Sequence, residues 1–166
     1  MKAKTLPTAA DLAQLDGYHA QVRGQLDRLA ALATRVENGQ LDGQTSAEAC
    51  AVEAFFSGSM QAHHRAEESG VFPTLLASDD AELVNLVRTL QQDHGWMEQN
   101  WIELAPQLRA IAQGNAWIDP AEFMHGAEVF LELSYGHAAL EEALVYPQAR
   151  AAQEDSAARQ VAGTAT

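Results

Sequence analysis

Residues 63–73 read HHRAEESGVFP and residues 137–147 read HAALEEALVYP. Laid over one another, they pair His63 with His137, Glu67 with Glu141, Glu68 with Glu142, Val71 with Val145 and Pro73 with Pro147. The shared pattern is His-x-x-x-Glu-Glu-x-x-Val-aromatic-Pro. Four residues is just over one helical turn, so each His-Glu pair projects from a single helix face. Imidazole suits iron, zinc, copper and nickel, and a carboxylate can bridge two hard cations. A chain that writes the pair twice therefore raises the chemistry of a metal centre.

The elements that must position these groups are legible in the apolar spacing. One segment carries Leu12, Leu15, His19, Val22, Leu26, Leu29, Ala33 and Val36. A second carries Val52, Phe56, Met60, His63 and Glu67. A third carries Leu83, Val87, Leu90, His94, Met97, Trp101, Leu104, Leu108 and Ile111. The fourth carries Phe123, Ala127, Phe130, Ser134, His137, Glu141 and Leu144. Steps of three and four mark one buried stripe per helix. Start signals stand at Thr8 with Asp11, Thr45 with Glu48, Asp79 with Glu82, and Asp119-Pro120-Ala121-Glu122. Stop signals stand at Asn38-Gly39 and Gly43, at Gly114-Asn115, and at Pro73 and Pro147. Four such helices with short connections predict an all-α, antiparallel up-down-up-down four-helix bundle over residues 8–150. Residues 151–166 lose the periodicity and are expected to form a flexible tail, and mobility is also expected of the first several residues. Residues 12–75 and 83–150 read as one helical hairpin written twice.

Every stripe contains a histidine: His19, His63, His94 and His137. Counted along an antiparallel bundle at ~1.5 Å per residue, the four fall within about one turn of the same height. Four imidazoles and two carboxylates buried together cost several kcal/mol per ion unless something compensates. No Lys or Arg occupies a stripe position at this level; Arg23 and Arg65 fall off it. Metal ions remain, and the census fits two: two histidines on each, with Glu67 and Glu141 bridging. His63, not His64, continues its stripe, and Glu68 and Glu142 are rotated by about 100° from Glu67 and Glu141. His64, Glu68 and Glu142 are therefore expected behind the ligands or in solvent. Ser134 is a small residue in a stripe of large ones; it either eases helix packing or offers its hydroxyl to a bound ligand or an imidazole.

These motifs resemble the hemerythrin-like, or HHE cation-binding, family: HHRAEESGVFP and HAALEEALVYP, preceded upstream by single histidines at 19 and 94, over about residues 10–150. The resemblance implies a non-haem di-iron centre, two iron ions bridged by carboxylates and by an oxo or hydroxo group. Carried over by position, the metal ligands are His19, His63, Glu67, His94, His137 and Glu141. It implies binding of O2 or a related small ligand, for oxygen binding, storage or sensing. The alternative it implies is a stress-response enzyme or iron-handling factor acting on NO, peroxide or damaged iron centres. Two positions depart from the marine-worm oxygen carriers. Those have His-x-x-x-His on the third helix, whereas here HGWMEQNW places Glu98 one turn after His94, either as an additional metal ligand or as a solvated flank residue. They also set the bridging acid five residues after the histidine, which would select Glu142, whereas the internal repeat favours Glu141.

The remaining signals exclude other classes. A net charge of −13 opposes a nucleic-acid or anionic-membrane surface. One cysteine, Cys50, rules out an internal disulfide framework and a Cys-rich metal site; it is expected as a small buried residue. No run approaches the ~18 apolar residues of a membrane span, and no signal-peptide pattern opens the chain, so a cytoplasmic location is expected. Trp96, Trp101 and Trp117 read as packing residues, Tyr135 as flank packing and His125 as surface.

Overall fold

A computed structural model describes residues 7–115 and 117–163. The mobility expected of the first residues, and the last three positions of the tail, lie outside that range. The Thr8 hydroxyl accepts from Asp11 N while the Asp11 carboxylate accepts from Thr8 N, a reciprocal box that opens α1 (Ala9–Glu37). α2 (Gly43–Ala66) is capped by Asp42, not by Thr45 as expected. Thr45 instead lies buried one turn in, its hydroxyl donating to Gln40 O at 2.6 Å and accepting from Arg35 Nε at 3.0 Å. α3 (Ala81–Ala112) is capped by Asp80, one residue later than expected, because its carboxylate reaches both Glu82 N and Leu83 N. Asp119 caps α4 (Pro120–Leu140), with proline at the first helical position as the sequence predicts. Gly39 and Gly114, at φ +70° and +72°, supply the left-handed residue after α1 and α3.

α2 and α4 do not stop at their prolines. Each widens into one π turn, Glu67–Val71 and Glu141–Val145, then resumes as α-helix over Phe72–Leu75 and Tyr146–Gly163. Phe72 N donates to Glu67 O and Tyr146 N to Glu141 O, five residues back rather than four. The proline that follows has no N–H to give and would crowd a carbonyl in a regular turn; the wider turn relieves both. It also inserts one residue into the stripe. The buried position is consequently Val145, and Leu144, expected inside, is 47% exposed. The last helix runs on past residue 150 to Gly163. That stretch, AAQEDSAARQ, lacks an apolar stripe but is rich in strong helix formers.

Each helix packs on two neighbours: α1 on α2 and α4, and α3 on α2 and α4. No strand occurs among the described residues, and no helix among them is long and apolar enough to cross a membrane. The interior divides into two apolar clusters. One gathers Leu12, Leu15, Val71, Phe72, Leu75, Val87, Leu90, Val145 and Tyr146; the larger runs from Val22 and Phe56 through Trp101 to Phe130. In all four helices the histidine lies between the residues of one cluster and those of the other, so a polar layer is sandwiched in oil. Three residues expected to be packed or buried are exposed instead. Trp96 and Trp117 are 62% and 71% exposed. Cys50 is exposed because the adjacent Ala49 takes the stripe position between Thr45 and Val52.

Candidate metal centre

The polar layer consists of His19, His63, Glu67, His94, His137 and Glu141, all buried, with both glutamates fully inaccessible. They form two overlapping groups, His19, His63, Glu67 and Glu141, and Glu67, His94, His137 and Glu141; within each group one atom per residue lies within 4.8 Å of all the others. The imidazoles face each other in pairs. His19 Nε2 lies 3.1 Å from His63 Nε2, and His94 Nε2 lies 3.1 Å from His137 Nε2. The carboxylates span the pairs. Glu141 directs Oε2 to His19 Nε2 (3.3 Å) and Oε1 to His137 Nε2 (3.0 Å). Glu67 Oε2 lies 3.3 Å from His63 Nε2 and 3.4 Å from His94 Nε2.

These distances are short, yet they do not satisfy the groups. Glu67 Oε2 and both oxygens of Glu141 are buried without a hydrogen-bond partner, a state that costs about 1–3 kcal/mol per group or more for a charge. Protons distribute poorly over the set. Burial, reinforced by His19, pushes His63 down to about 3. Burial also opposes charge on His94, but Glu141, Glu67 and Glu68 overcome it and carry the ring up to about 10. Burial raises Glu67 above the usual carboxylate range, while His137 and His19 hold Glu141 well below it against its own desolvation. Imidazole nitrogens 3.1 Å apart beside unpartnered carboxylate oxygens make a donor set fitted to a cation, and the two groups share Glu67 and Glu141.

Outer contacts fix two of the four imidazoles. His94 Nδ1 lies 2.8 Å from Glu68 Oε1, and His19 Nδ1 lies 3.1 Å from Glu142 Oε1. In each copy of the repeat, the first glutamate turns into the layer and the second crosses to the histidine of a neighbouring helix. The π turn at this point is where such local re-aiming of side chains is commonly found. Arg23 pairs with Glu142 from the outside. His137 has no equivalent partner: its Nδ1 is orphaned, with Asp93 Oδ2 at 3.8 Å. His64 stacks on His94 at 3.9 Å between centroids, and burial pushes it down to about 2. Glu98 holds His64 Nδ1 at 2.9 Å and belongs to neither four-residue group.

One contact was not read from the sequence. The buried Tyr146 hydroxyl donates to Glu67 Oε1 and lies 3.2 Å from His19 Nε2. Its ring stacks on His19 at 5.2 Å. Burial and the Glu67 charge raise its pKa, so it stays a phenol. The signal was present in the repeat: the aromatic before proline is Phe72 in one copy and Tyr146 in the other.

On the side of the larger apolar cluster, a cavity of about 30 Å³ abuts the layer. Its walls include His19, His63, His64 and His137 together with Val22, Phe56, Met60, Met97 and Ser134. The Ser134 hydroxyl lies 3.6 Å from Met97 Sδ. The cavity has room for about two water-sized atoms. Trp101 packs beyond it, as expected, its Nε1 donating to Ser57 Oγ at 3.0 Å. Tyr135 reaches outward to Asp27, and His125 is exposed.

The family model of the hemerythrin HHE cation binding domain matches residues 10–156. No curated protein and no solved structure matches the chain.

Proposed function

The chain belongs to the hemerythrin HHE cation-binding domain family, and on that premise we propose that it holds two iron ions in its polar layer and binds O2 or a related small ligand beside them. The observation that carries the reading is the layer itself: four inward imidazole nitrogens and three unpartnered buried carboxylate oxygens, meeting at one level of an apolar bundle. In this reading His19 and His63 serve one ion, His94 and His137 the other, and Glu67 and Glu141 are shared between them. Bound iron supplies reversible one-electron chemistry and an affinity for small ligands. The protein supplies the rest. Glu68 and Glu142 fix the tautomer and orientation of His94 and His19 through their outer nitrogens. Val22, Phe56, Met60 and Met97 keep the adjoining cavity apolar, which excludes bulk water and limits what fits to a molecule of about two heavy atoms.

A second reading, in which peroxide or NO is turned over or iron is handled, draws on Tyr146. A phenol that donates to Glu67 is a proton held inside the layer, and a reversible carrier has no evident need of one. Glu98, one turn after His94 where worm-type carriers have a histidine, also favours this reading over such a carrier.

The test is an anaerobic ferrous preparation, its iron content measured and its visible spectrum followed on exposure to O2. About two irons per chain and a reversible spectral change support ligand binding. Rapid irreversible oxidation with consumption of added peroxide supports the second reading. His63→Ala and Glu141→Ala should each lower the iron content, and unchanged iron in both would remove the site assignment.

A further inference from the structure

A groove of about 260 Å³ lies on the outside of the bundle between α1 and α2. Its floor is built from small or exposed residues: Gln14, Gly58, Ser59, Ala62 and Ala66. A Cβ added to Gly58 would meet nothing within 4 Å, so the groove is open at that point. Two residues line both this groove and the buried cavity, Tyr18 and His63. Tyr18 and His63 thus stand between the groove and the cavity, and of the two only Tyr18 lies outside the polar layer. The Tyr18 ring lies flat on His63, with 4.1 Å between centroids and 28° between planes, and on Phe55 at 5.6 Å. Among the described residues its only polar tether is one hydroxyl contact, 3.2 Å to Ser59 Oγ. A partly buried side chain held by two stacking faces and one neutral hydroxyl pair can rotate without breaking an ion pair or a helix.

We propose that Tyr18 is the gate of this protein: small uncharged molecules reach the cavity from the α1–α2 groove when the Tyr18 ring swings off His63. The proposal rests on reading the cavity as the ligand pocket, and it deepens that reading by naming the route and its control. The route selects by size and charge. The cavity admits about two heavy atoms, and the passage runs between an aromatic ring and an imidazole with no Lys or Arg along it among the described residues.

The test needs no metal and so separates failure of the gate from failure of the iron assignment. Trp101 packs on Phe56, a cavity wall, at 5.1 Å. In a Trp96→Phe, Trp117→Phe background, both positions being exposed, Trp101 is the sole tryptophan, and its quenching by dissolved O2 in metal-free protein measures entry of a small apolar molecule. Tyr18→Ala should raise the bimolecular quenching constant severalfold. Tyr18→Phe, which keeps the ring and loses the Ser59 tether, should raise it less. Ala62→Phe, which fills the groove from an exposed position and leaves the layer untouched, should lower it at least twofold. Acrylamide, too large for the cavity, should quench the Tyr18→Phe and Ala62→Phe proteins as it does the parent. Circular dichroism melts establish that each variant is folded, and Ala62→Phe keeps the test decisive should Tyr18→Ala unfold. Equal O2 quenching in the parent, Tyr18→Phe and Ala62→Phe would overturn the gate.

Discussion

If the outer glutamates of the two repeats set the orientation of their histidines, then Glu68→Gln should weaken metal binding without changing the fold. Glutamine keeps the volume and one acceptor oxygen, so the variant removes only charge. Glu68 Oε1 lies 2.8 Å from His94 Nδ1, a good charge-assisted geometry. Such a bond contributes about 1.5–3 kcal/mol. The Glu68 side chain is 40% exposed, so solvent screening puts the bond near the lower limit; the glutamine oxygen keeps a neutral bond of about 0.5 kcal/mol, and the loss is about 1 kcal/mol. At about 1.4 kcal/mol per tenfold, that is roughly a fivefold weaker affinity, just under the 10–100-fold range found for partners of metal-bound histidines, to order of magnitude. Glu142→Gln should behave alike, since Glu142 is 30% exposed and sits 3.1 Å from His19 Nδ1. Asp93→Asn is the control: at 3.8 Å from His137 Nδ1 it makes no hydrogen bond, and affinity should change less than about threefold. The assay is anaerobic competition between each variant and a ferrous chelator of known affinity, with melting of the metal-free proteins alongside. Losses of equal size in Glu68→Gln and Asp93→Asn, or no loss in either glutamate variant, would refute the reasoning.

Three further outcomes follow from the same geometry. Ferrous iron at ~1,000 times its dissociation constant should stabilise the fold by about 4 kcal/mol per ion, roughly 8 kcal/mol for two; at about 2–4 °C per kcal/mol for a chain of this size, the melting temperature should rise roughly 16–32 °C and fall back on chelation. Val145→Ala should cost about 2 kcal/mol and Leu144→Ala less than about 0.5 in chemical denaturation, because the π turn buries the first and leaves the second 47% exposed; the reverse ranking would mean a regular turn. Glu98→Gln should leave the iron-to-protein ratio unchanged, since Glu98 is taken up by His64; a lost iron would make Glu98 a ligand after all.

How much of this was legible in the sequence depended on which physical rule each residue obeyed. The stripes of α1 and α3 were readable almost residue by residue, because a long regular helix keeps its period: all eight stripe residues named in α1 are buried. The convergence of His19, His63, His94 and His137 followed from the same period plus antiparallel counting. What periodicity could not give was the register beyond Glu67 and Glu141. A proline preceded by a π turn adds a residue without any change in composition, so Leu144 was placed inside and Val145 left out. Caps failed by small amounts for a related reason. Asp42, Thr45, Asp79 and Asp80 are all competent N-caps by residue type, and only the path of the incoming loop decides among them. Cys50 and Trp96 were misplaced because residue type was allowed to outweigh helix phase, and Trp117 lies in the connection before α4, where there is no phase to read.

The double glutamate that opened the question has a structural answer. A single glutamate per repeat would suffice to face the layer. The second reaches back across the bundle, Glu68 from α2 to α3 and Glu142 from α4 to α1, so that each repeat braces a histidine belonging to another helix. The brace is symmetric; the interior is not. At the position before proline, one copy presents Phe72, whose ring stacks on His94 at 5.6 Å, and the other presents Tyr146, whose hydroxyl engages Glu67 and lies 3.2 Å from His19. Tyr18 and its groove stand on the same side, against His63. The His19–His63 side of the layer thus carries both phenols and the passage from solvent, while the His94–His137 side is enclosed by Phe72 and His64. Two halves with one backbone pattern have been made chemically different by a single oxygen atom and a single ring.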